Sequence, residues 1–505
     1  MYKKIRRILA VLFCVGLTLL FLDFTGTLHR WLDFMAKVQL MPAVLSINVS
    51  VIIGLALLTF LLGRVYCSVI CPLGVLQDFV SWLRGRLNKK KLNRFGYSPE
   101  RRWLRYPILI IFIAAIVAGI GSLVALLDPY GAYGRFATGL LQPLWQCGNN
   151  GLAAIAEHYE SYAFYKSEVW LRSLPVLLIT VCLTALVIVL AWRGGRTYCN
   201  TVCPVGTMLG LLSRFSLFRF TINNDKCISC GACAQWCKAS CIDFHNHSID
   251  YSRCVACGDC VSNCSTSAIA LRPVWSKSAD ASESDKPISV DKGKRAFLIG
   301  SAVALSGAAL AQTKKKRDGG LAVIEDKKIP ERKTPITPPG SLSARNMARH
   351  CTACQLCVAE CPNQVLRPSD DLMTLMQPVL SYERGNFCRP ECVRCSQVCP
   401  TGAIRPITIA EKSSLQIGHA VWVMEHCLPL NDKTEDGLPI ACGNCARHCP
   451  AGAIRMVPMG DGDDAPLIPV INEERCIGCG ACESVCPARP FTAIYVEGHD
   501  THRSI

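Results

Sequence analysis

No Cys-x-x-Cys-His occurs in the 505 residues, so c-type haem is not expected. None of the ten histidines falls inside the long apolar runs, and a haem b held among membrane helices needs histidine ligands. Glycine-rich phosphate loops, paired carboxylates and nucleophile–base constellations are also missing, so no catalytic residue is named. Acidic residues are scarce, 38 against 54 Lys and Arg, giving a formal charge of +16. Such a balance raises nucleic acid as a partner. The distribution argues against it. Nine of the basic residues lie from Arg84 to Arg105, between two apolar runs, as in an inward-facing loop of a membrane protein.

What is plentiful is apolar sequence and cysteine. Apolar runs cover residues 8–24, 41–62, 107–127 and 174–192, each long enough for a hydrocarbon core of about 30 Å. Lys3, Lys4, Arg6 and Arg7 precede the first; no small-residue cleavage site follows, which argues against a signal peptide. The expectation is an α-helical membrane module over residues 1–215 with four helices and a fifth candidate further on. The N-terminus and the 84–105 loop would face the cytoplasm, and 24–40 and 128–173 would be outward loops.

The second and fourth runs end in the same motif, G-R-x-Y-C-x3-C-P-x-G, from Gly63 to Gly74 and from Gly195 to Gly206. Cysteines four apart share one side of a helix, so Cys67, Cys71, Cys199 and Cys203 could meet as four thiolates. Dithiol chemistry, a metal site and another cluster are all open. The alternative is small apolar residues packing at helix ends.

Six cysteine quartets account for 24 of the 32 cysteines. Such density in a long chain points to metal ligation rather than a disulfide framework. Two are C-x2-C-x2-C-x3-C in tandem: Cys227, Cys230, Cys233 and Cys237, then Cys254, Cys257, Cys260 and Cys264. Four follow in residues 350–505: Cys351, Cys354, Cys357 and Cys361; Cys388, Cys392, Cys395 and Cys399; Cys427, Cys442, Cys445 and Cys449; and Cys476, Cys479, Cys482 and Cys486. Proline follows each last cysteine of these four, at Pro362, Pro400, Pro450 and Pro487. Zinc is the competing ligand, but it needs only four thiolates in two C-x2-C knuckles. Between the two groups, residues 273–349 read as a linker: a Ser-, Asp- and Lys-rich stretch to Lys292, an apolar segment at 294–311, and an extended piece at 330–339. The 294–311 segment starts with Lys294-Arg295 and ends in Ala309-Leu310-Ala311, a pattern that suits export or anchoring. A small buried helix is the alternative, and Lys314–Arg317 speak against crossing.

The tandem quartets over 216–272 resemble a bacterial two-cluster ferredoxin, an α+β domain in which each fourth cysteine ligates the other cluster. That resemblance implies one [4Fe-4S] set of Cys227, Cys230, Cys233 and Cys264, and another of Cys254, Cys257, Cys260 and Cys237. Cys241, four residues after Cys237, is an alternative ligand, but Cys237 keeps the ferredoxin spacing. Residues 1–270 resemble the polytopic quinol-dehydrogenase subunit of periplasmic nitrate reductase systems (NapH-like). They also resemble the nitrous-oxide reductase regulator family without its flavin domain. Residues 294–495 resemble the exported four-cluster partner (NapG-like), and 294–311 a twin-arginine signal with Lys in the first position. The resemblance implies six [4Fe-4S] clusters, no flavin, and menaquinol oxidation with electrons passed to a terminal reductase or other redox protein. It implies a multi-pass protein of the bacterial inner membrane, with 216–272 cytoplasmic and 350–505 on the periplasmic face. Related four-cluster subunits pair the first quartet with the fourth and the second with the third; sequential pairing uses the same sixteen cysteines. A different reading is electron supply for maturation or regulation of a metalloenzyme.

Overall fold

The computed structural model describes residues 2–23, 26–87, 95–161, 164–166, 169, 172–274, 327–328, 331–431, 440–460 and 465–505. The export-like segment 294–311 lies outside the described residues. Up to Ser213 the described chain is helical, and two helices, Tyr2–Leu22 and Leu174–Gly194, are long and apolar enough to cross a membrane. The other two expected spans are interrupted. The run 41–62 breaks between Leu40–Leu45 and Val49–Leu62, where Ile47 adopts positive φ and the Asn48 side chain caps the new helix by accepting from the Val51 amide. The run 107–127 breaks between Arg102–Ala118 and Gly121–Leu127, at the left-handed cap Gly119. The supposed loop 128–173 holds two helices, Pro129–Phe136 and Gln142–His158, joined by a π-helical turn, Ala137–Leu141. Pro129 at the first helical position and the Asp128 carboxylate, which accepts from the Tyr130 and Gly131 amides, start the first of these.

The helical layer has a cysteine-rich domain at each end. At one end sits the unit of 216–272, with two short antiparallel pairs, Phe218–Ile222 with Ile269–Pro273 and Ile242–Asp243 with Ser248–Ile249. Tyr2 Oη donates to Ala256 O at 2.7 Å, Arg105 Nη2 to Ser252 O at 3.0 Å, and the Arg196 amide to Lys238 O at 2.8 Å. The opposite ends of the same helices carry the C-terminal domain. Gly26 lies against Arg394 and Glu360, Gly119 against Arg349, and Ser173 bonds Asp370. The flank between these ends is apolar and exposed, with Ile8, Leu12, Ile53, Leu57, Ile110, Val117, Leu178 and Val189 among its residues.

The C-terminal domain begins before residue 350. Lys327 Nζ donates to Glu483 O at 2.6 Å, Arg332 pairs with Glu483 at 2.6 Å, and Ile336 is fully buried. The stretch 331–339 is therefore a strap on this domain rather than a free linker. Its extended form follows from Pro335, Pro338 and Pro339, and its backbone bonds go to the domain, as at Leu380 N to Ile336 O.

The repeated motif packs by crossing over. Arg196 Nη1 donates to Cys67 O at 2.6 Å in the first copy; Arg64 Nη2 donates to Cys199 O at 3.2 Å in the second. The last glycine of each copy leaves room for this. A Cβ at Gly206 would overlap Cys199 O and stand 2.7 Å from Arg64 Nη2, and Gly74 is placed alike against Cys67 O and Arg196. Gly206→Ala should cost about 1–3 kcal/mol through this overlap. Gly54→Ala, in a helix with nothing within 4 Å, should be neutral or stabilising. Thermal unfolding in detergent separates the two.

The ferredoxin-like unit is clamped by charge. Asp78 pairs with Arg196 at 2.8 Å and Lys238 at 3.4 Å, and Asp259 pairs with Lys238 and Lys3, both at 3.0 Å. Burial alone would raise both carboxyls, but these cations outweigh it and hold them below the usual aspartate range. Depressed folded-state values stabilise above the ordinary aspartate pKa of about 4 and lose that stabilisation as pH falls toward the folded values. Hydrogen exchange should find the Arg196 amide protected down to about pH 4 and progressively exposed below it; Asp78→Asn should expose it at neutral pH.

Candidate iron–sulfur sites and the thiol group between them

The quartets share a turn that their spacing only hints at. In four of them the residues flanking the second cysteine both adopt positive φ: Ser229 and Gly231, Ala256 and Gly258, Ala353 and Gln355, Gly478 and Gly480. Three residues after five of the fourth cysteines comes another left-handed residue: Ser240, Ser267, Gln364, Gly402 and Gly452. Such turns aim backbone N–H groups inward. Cys264 Sγ accepts from Ala268 N at 3.2 Å, Cys351 from Ala353 N at 3.3 Å, Cys449 from Ala453 N at 3.3 Å and Cys486 from Ala493 N at 3.4 Å. Amide donors on thiolate sulfur are how proteins hold and tune iron–sulfur clusters, so the donor set fits the group. Among the described residues no three His, Cys, Asp or Glu side chains converge tightly enough for one metal ion.

Within the ferredoxin-like unit the structure groups two sets of these cysteines. Cys254, Cys257 and Cys237 all act electrostatically on Cys260, and Cys227 and Cys230 on Cys233. Ser240 places Cys237 at the fourth-cysteine turn. Cys241 is a neighbour, its Sγ 3.5 Å from that of Cys237. In the C-terminal domain the first quartet lies beside the second and the third beside the fourth, the arrangement that sequential pairing would need. Cys399 acts on Cys351, Cys354 and Cys357, and Cys361 on Cys388 and Cys395. Cys486 acts on Cys427 and Cys445, with Cys442 beside them, and Cys449 on Cys476, Cys479 and Cys482. The two pairs meet where the Cys388 amide donates to Cys479 O at 3.0 Å. Cys392 lies with Cys361 and Cys395.

The four C-x3-C-P cysteines are buried and mutually close. They do not share one helical face. Cys67 and Cys199 lie in short helices, Val65–Val69 and Thr197–Thr201, while Cys71 and Cys203 precede new helices begun by Pro72 and Pro204. Arg64 Nη2 approaches Cys67 Sγ at 3.8 Å, Gln77 Nε2 donates to Cys199 Sγ at 3.2 Å, and Gly206 N to Cys203 Sγ at 3.4 Å. Arg64 is fully buried; its partners are Asn200 Oδ1, Ser252 O and Cys199 O. Among the described residues no carboxylate pairs with it. A buried guanidinium without a counter-ion is costly, and these oxygen acceptors offset part of that cost.

The thiols also lie between the two cluster domains. On one side Arg64 reaches the field of Cys254. On the other, Cys203 and Cys199 act on Tyr198, which lies near Asp128 and Arg135, and Arg135 near Cys351 and Cys354. Tyr130 is buried against Cys354. Arg64 and Arg196 were visible in the repeat as motif letters; Gln77, Asp128, Tyr130 and Arg135 were not, because nothing in their spacing marks them.

Comparison with known proteins accounts for this pattern. A 4Fe-4S binding domain family matches residues 46–90 and 174–223, the two copies of the repeat. Families of 4Fe-4S dicluster domains match 250–365, 350–404 and 440–489. The methylamine utilization ferredoxin-type protein MauM of Methylobacillus flagellatus is 31% identical over 170 residues, 33% of this chain and 70% of that protein. The ferredoxin-type protein NapF of Escherichia coli is 30% identical over 168 residues, 32% of this chain and 87% of NapF. MauN of Paracoccus denitrificans is 28% identical over 35% of this chain, which spans 48% of MauN. No solved structure matches. The chain carries several 4Fe-4S domains and belongs to the ferredoxin-type iron–sulfur proteins of electron transfer.

Sequential pairing has a spectroscopic consequence. Cys351→Ser and Cys399→Ser should abolish the same paramagnetic cluster signal, and Cys361→Ser a different one shared with Cys395→Ser. Loss of one common signal in Cys351→Ser and Cys486→Ser would instead indicate first-with-fourth pairing.

Proposed function

We propose that the chain is a membrane-bound electron carrier that joins a NapH-like half to a NapG-like half, oxidises a membrane quinol, menaquinol by resemblance, and passes electrons to a reductase partner. The observation that carries this reading is the sandwich: cluster-type domains at both ends of one helical layer, with buried thiols, Tyr198 and Arg135 between them. The exposed apolar flank supports a bilayer around that layer, since soluble surfaces rarely show so large a patch. Lys3, Arg7, Arg84 and Arg105 lie at the ferredoxin-like end, which suits the cytoplasm. Val274 ends at that face and Lys327 begins at the other. On this reading the two cluster domains face opposite sides of the bilayer.

On this reading the 24 quartet cysteines hold six [4Fe-4S] clusters, and the clusters supply one-electron transfer when bound. Oxidation of one quinol releases two electrons and two protons, so clusters that each take one electron must work in series. The protein's part is to hold them at fixed spacing, bury them, and set their potentials through amide donors and nearby cations. Cys67, Cys71, Cys199 and Cys203 are proposed as the redox-active link between the two domains.

Anaerobic protein in liposomes should contain about 24 iron atoms per chain, and menaquinol should reduce clusters of both domains. In a Cys67→Ser, Cys199→Ser variant with full iron content, quinol should reduce the clusters of one domain only. Clusters that dithionite reduces and quinol never does would turn the reading to electron supply for metalloenzyme maturation.

A further inference from the structure

A cavity of about 340 Å³ lies where the start of helix Leu174–Gly194 and the π-helical turn meet the first C-terminal cluster pair. Its size suits a small-molecule headgroup. Three of its polar side chains are arranged in an unusual way. Gln142 Oε1 accepts from Arg172 Nη2 at 3.0 Å, and Gln355 Oε1 from Thr138 Oγ1 at 3.2 Å. Both carbonyl oxygens are thereby used, and what remains is donors. Among the described residues, Gln142 Nε2, Gln355 Nε2 and Arg172 Nη1 are buried without an acceptor. Gln142 is 1% exposed and Gln355 5%, so water does not reach these amides freely. Each orphaned donor is unfavourable unless something completes it.

Two further features mark the place. Gln355 holds φ +63°, where the matching positions of three other quartets have glycine: Gly231, Gly258 and Gly480. A glutamine there carries strain that its own turn does not need, and such strain gathers at ligand sites. The neighbouring Ala137–Leu141 turn is π-helical, an irregularity also common at functional sites.

We propose that this cavity binds the headgroup of a quinol or quinone, with the three donors meeting its ring oxygens. The proposal rests on the quinol reading above and gives it a location. Cys361, a ligand of the second C-terminal cluster on that reading, forms part of the wall, so the ring would sit beside an electron acceptor. Val176 and Leu177 supply apolar lining, and exposed Leu144, Trp145, Leu174 and Leu178 stand nearby for an isoprenoid tail. Two of the three donors are neutral amides, which favours a carbonyl or hydroxyl oxygen over a phosphate.

The test uses the full chain with its clusters, in detergent, and a fluorescent alkyl hydroxyquinoline N-oxide as the quinol analogue. Quenching of the probe reports binding. Gln142→Leu and Gln355→Leu should each weaken binding roughly tenfold, about the worth of one buried hydrogen bond, with iron content and paramagnetic signals unchanged. Should either leucine variant lose iron, Gln142→Glu keeps the shape and replaces the donor with an acceptor, and it should weaken binding at least as much. Undiminished binding in variants with intact clusters, while quinol still reduces those clusters, overturns the cavity and leaves the quinol reading standing. No binding to the native chain, with clusters that quinol never reduces, overturns both. Stoichiometric displacement of the probe by phosphatidylglycerol, but not by phosphatidylcholine, would make the cavity a seat for an anionic lipid and overturn the quinol assignment.

Discussion

Two buried guanidiniums, Arg64 and Arg196, hold the centre of this molecule. Each reaches across to the other copy of the repeat and donates to the carbonyl of its first cysteine. Removing such a cation from water costs several kcal/mol, and only close partners recover it. Arg196 has Asp78. Arg64 has neutral oxygens and the sulfur of Cys67. The layout therefore constrains everything nearby. Each repeat needs a glycine under the incoming guanidinium, the two short helices must lie side by side, and the four thiols come together as a result. Arg64 also bonds Ser252, two residues before Cys254, so the same group that crosses the repeat anchors the ferredoxin-like unit.

The consequence for function is geometric. Cysteine spacing makes clusters, but electron flow needs the clusters to be placed in sequence. In the C-terminal domain the link is backbone to backbone, from Cys388 to Cys479, and Tyr382 Oη donates to Gly478 O at 2.9 Å beside it. Between the domains lies the line of thiols, Tyr198 and Arg135. On the proposed reading this line is what converts two cluster domains into one conductor.

The cysteine quartets and the repeat were legible because their chemistry lies in residue type and spacing, both local in sequence. The pairing of quartets was not, since first-with-fourth and sequential schemes use identical cysteines and differ only in which loops fold toward each other. Helix existence was legible from the apolar runs; helix continuity was not. The break at Asn48 turns on Ile47, a β-branched residue at positive φ that sequence reasoning would place inside a helix. The helices within 128–173 were hidden by ordinary polar composition. The strap at 331–339 read as a linker because prolines make any segment look free, while its anchors, Glu483 and Glu497, lie more than a hundred residues away. The donors of the cavity were invisible for a similar reason. Gln142, Arg172 and Gln355 are far apart in sequence and unremarkable one by one.

The meeting of the helical layer with the first C-terminal quartet shows how tightly the two halves are fitted. A Cβ at Gly134 would overlap Cys354 O and crowd the ring of Phe21, and Gly131 stands in the same relation to Thr352 O. The helix Pro129–Phe136 thus meets the cysteine loop with no side chain between them. Arg135, from the same helix, donates to Ala353 O at 3.3 Å and to Ala125 O at 2.8 Å, tying loop and layer together. Larger residues at either glycine would push the loop outward and lengthen the gap between Tyr130 and Cys354. A soluble domain tethered by a linker would have no use for such closeness. On the proposed reading, a carrier that depends on short steps from the thiol group to its nearest cluster requires it, and the repeat and this junction are fitted by the same means, a glycine facing a carbonyl.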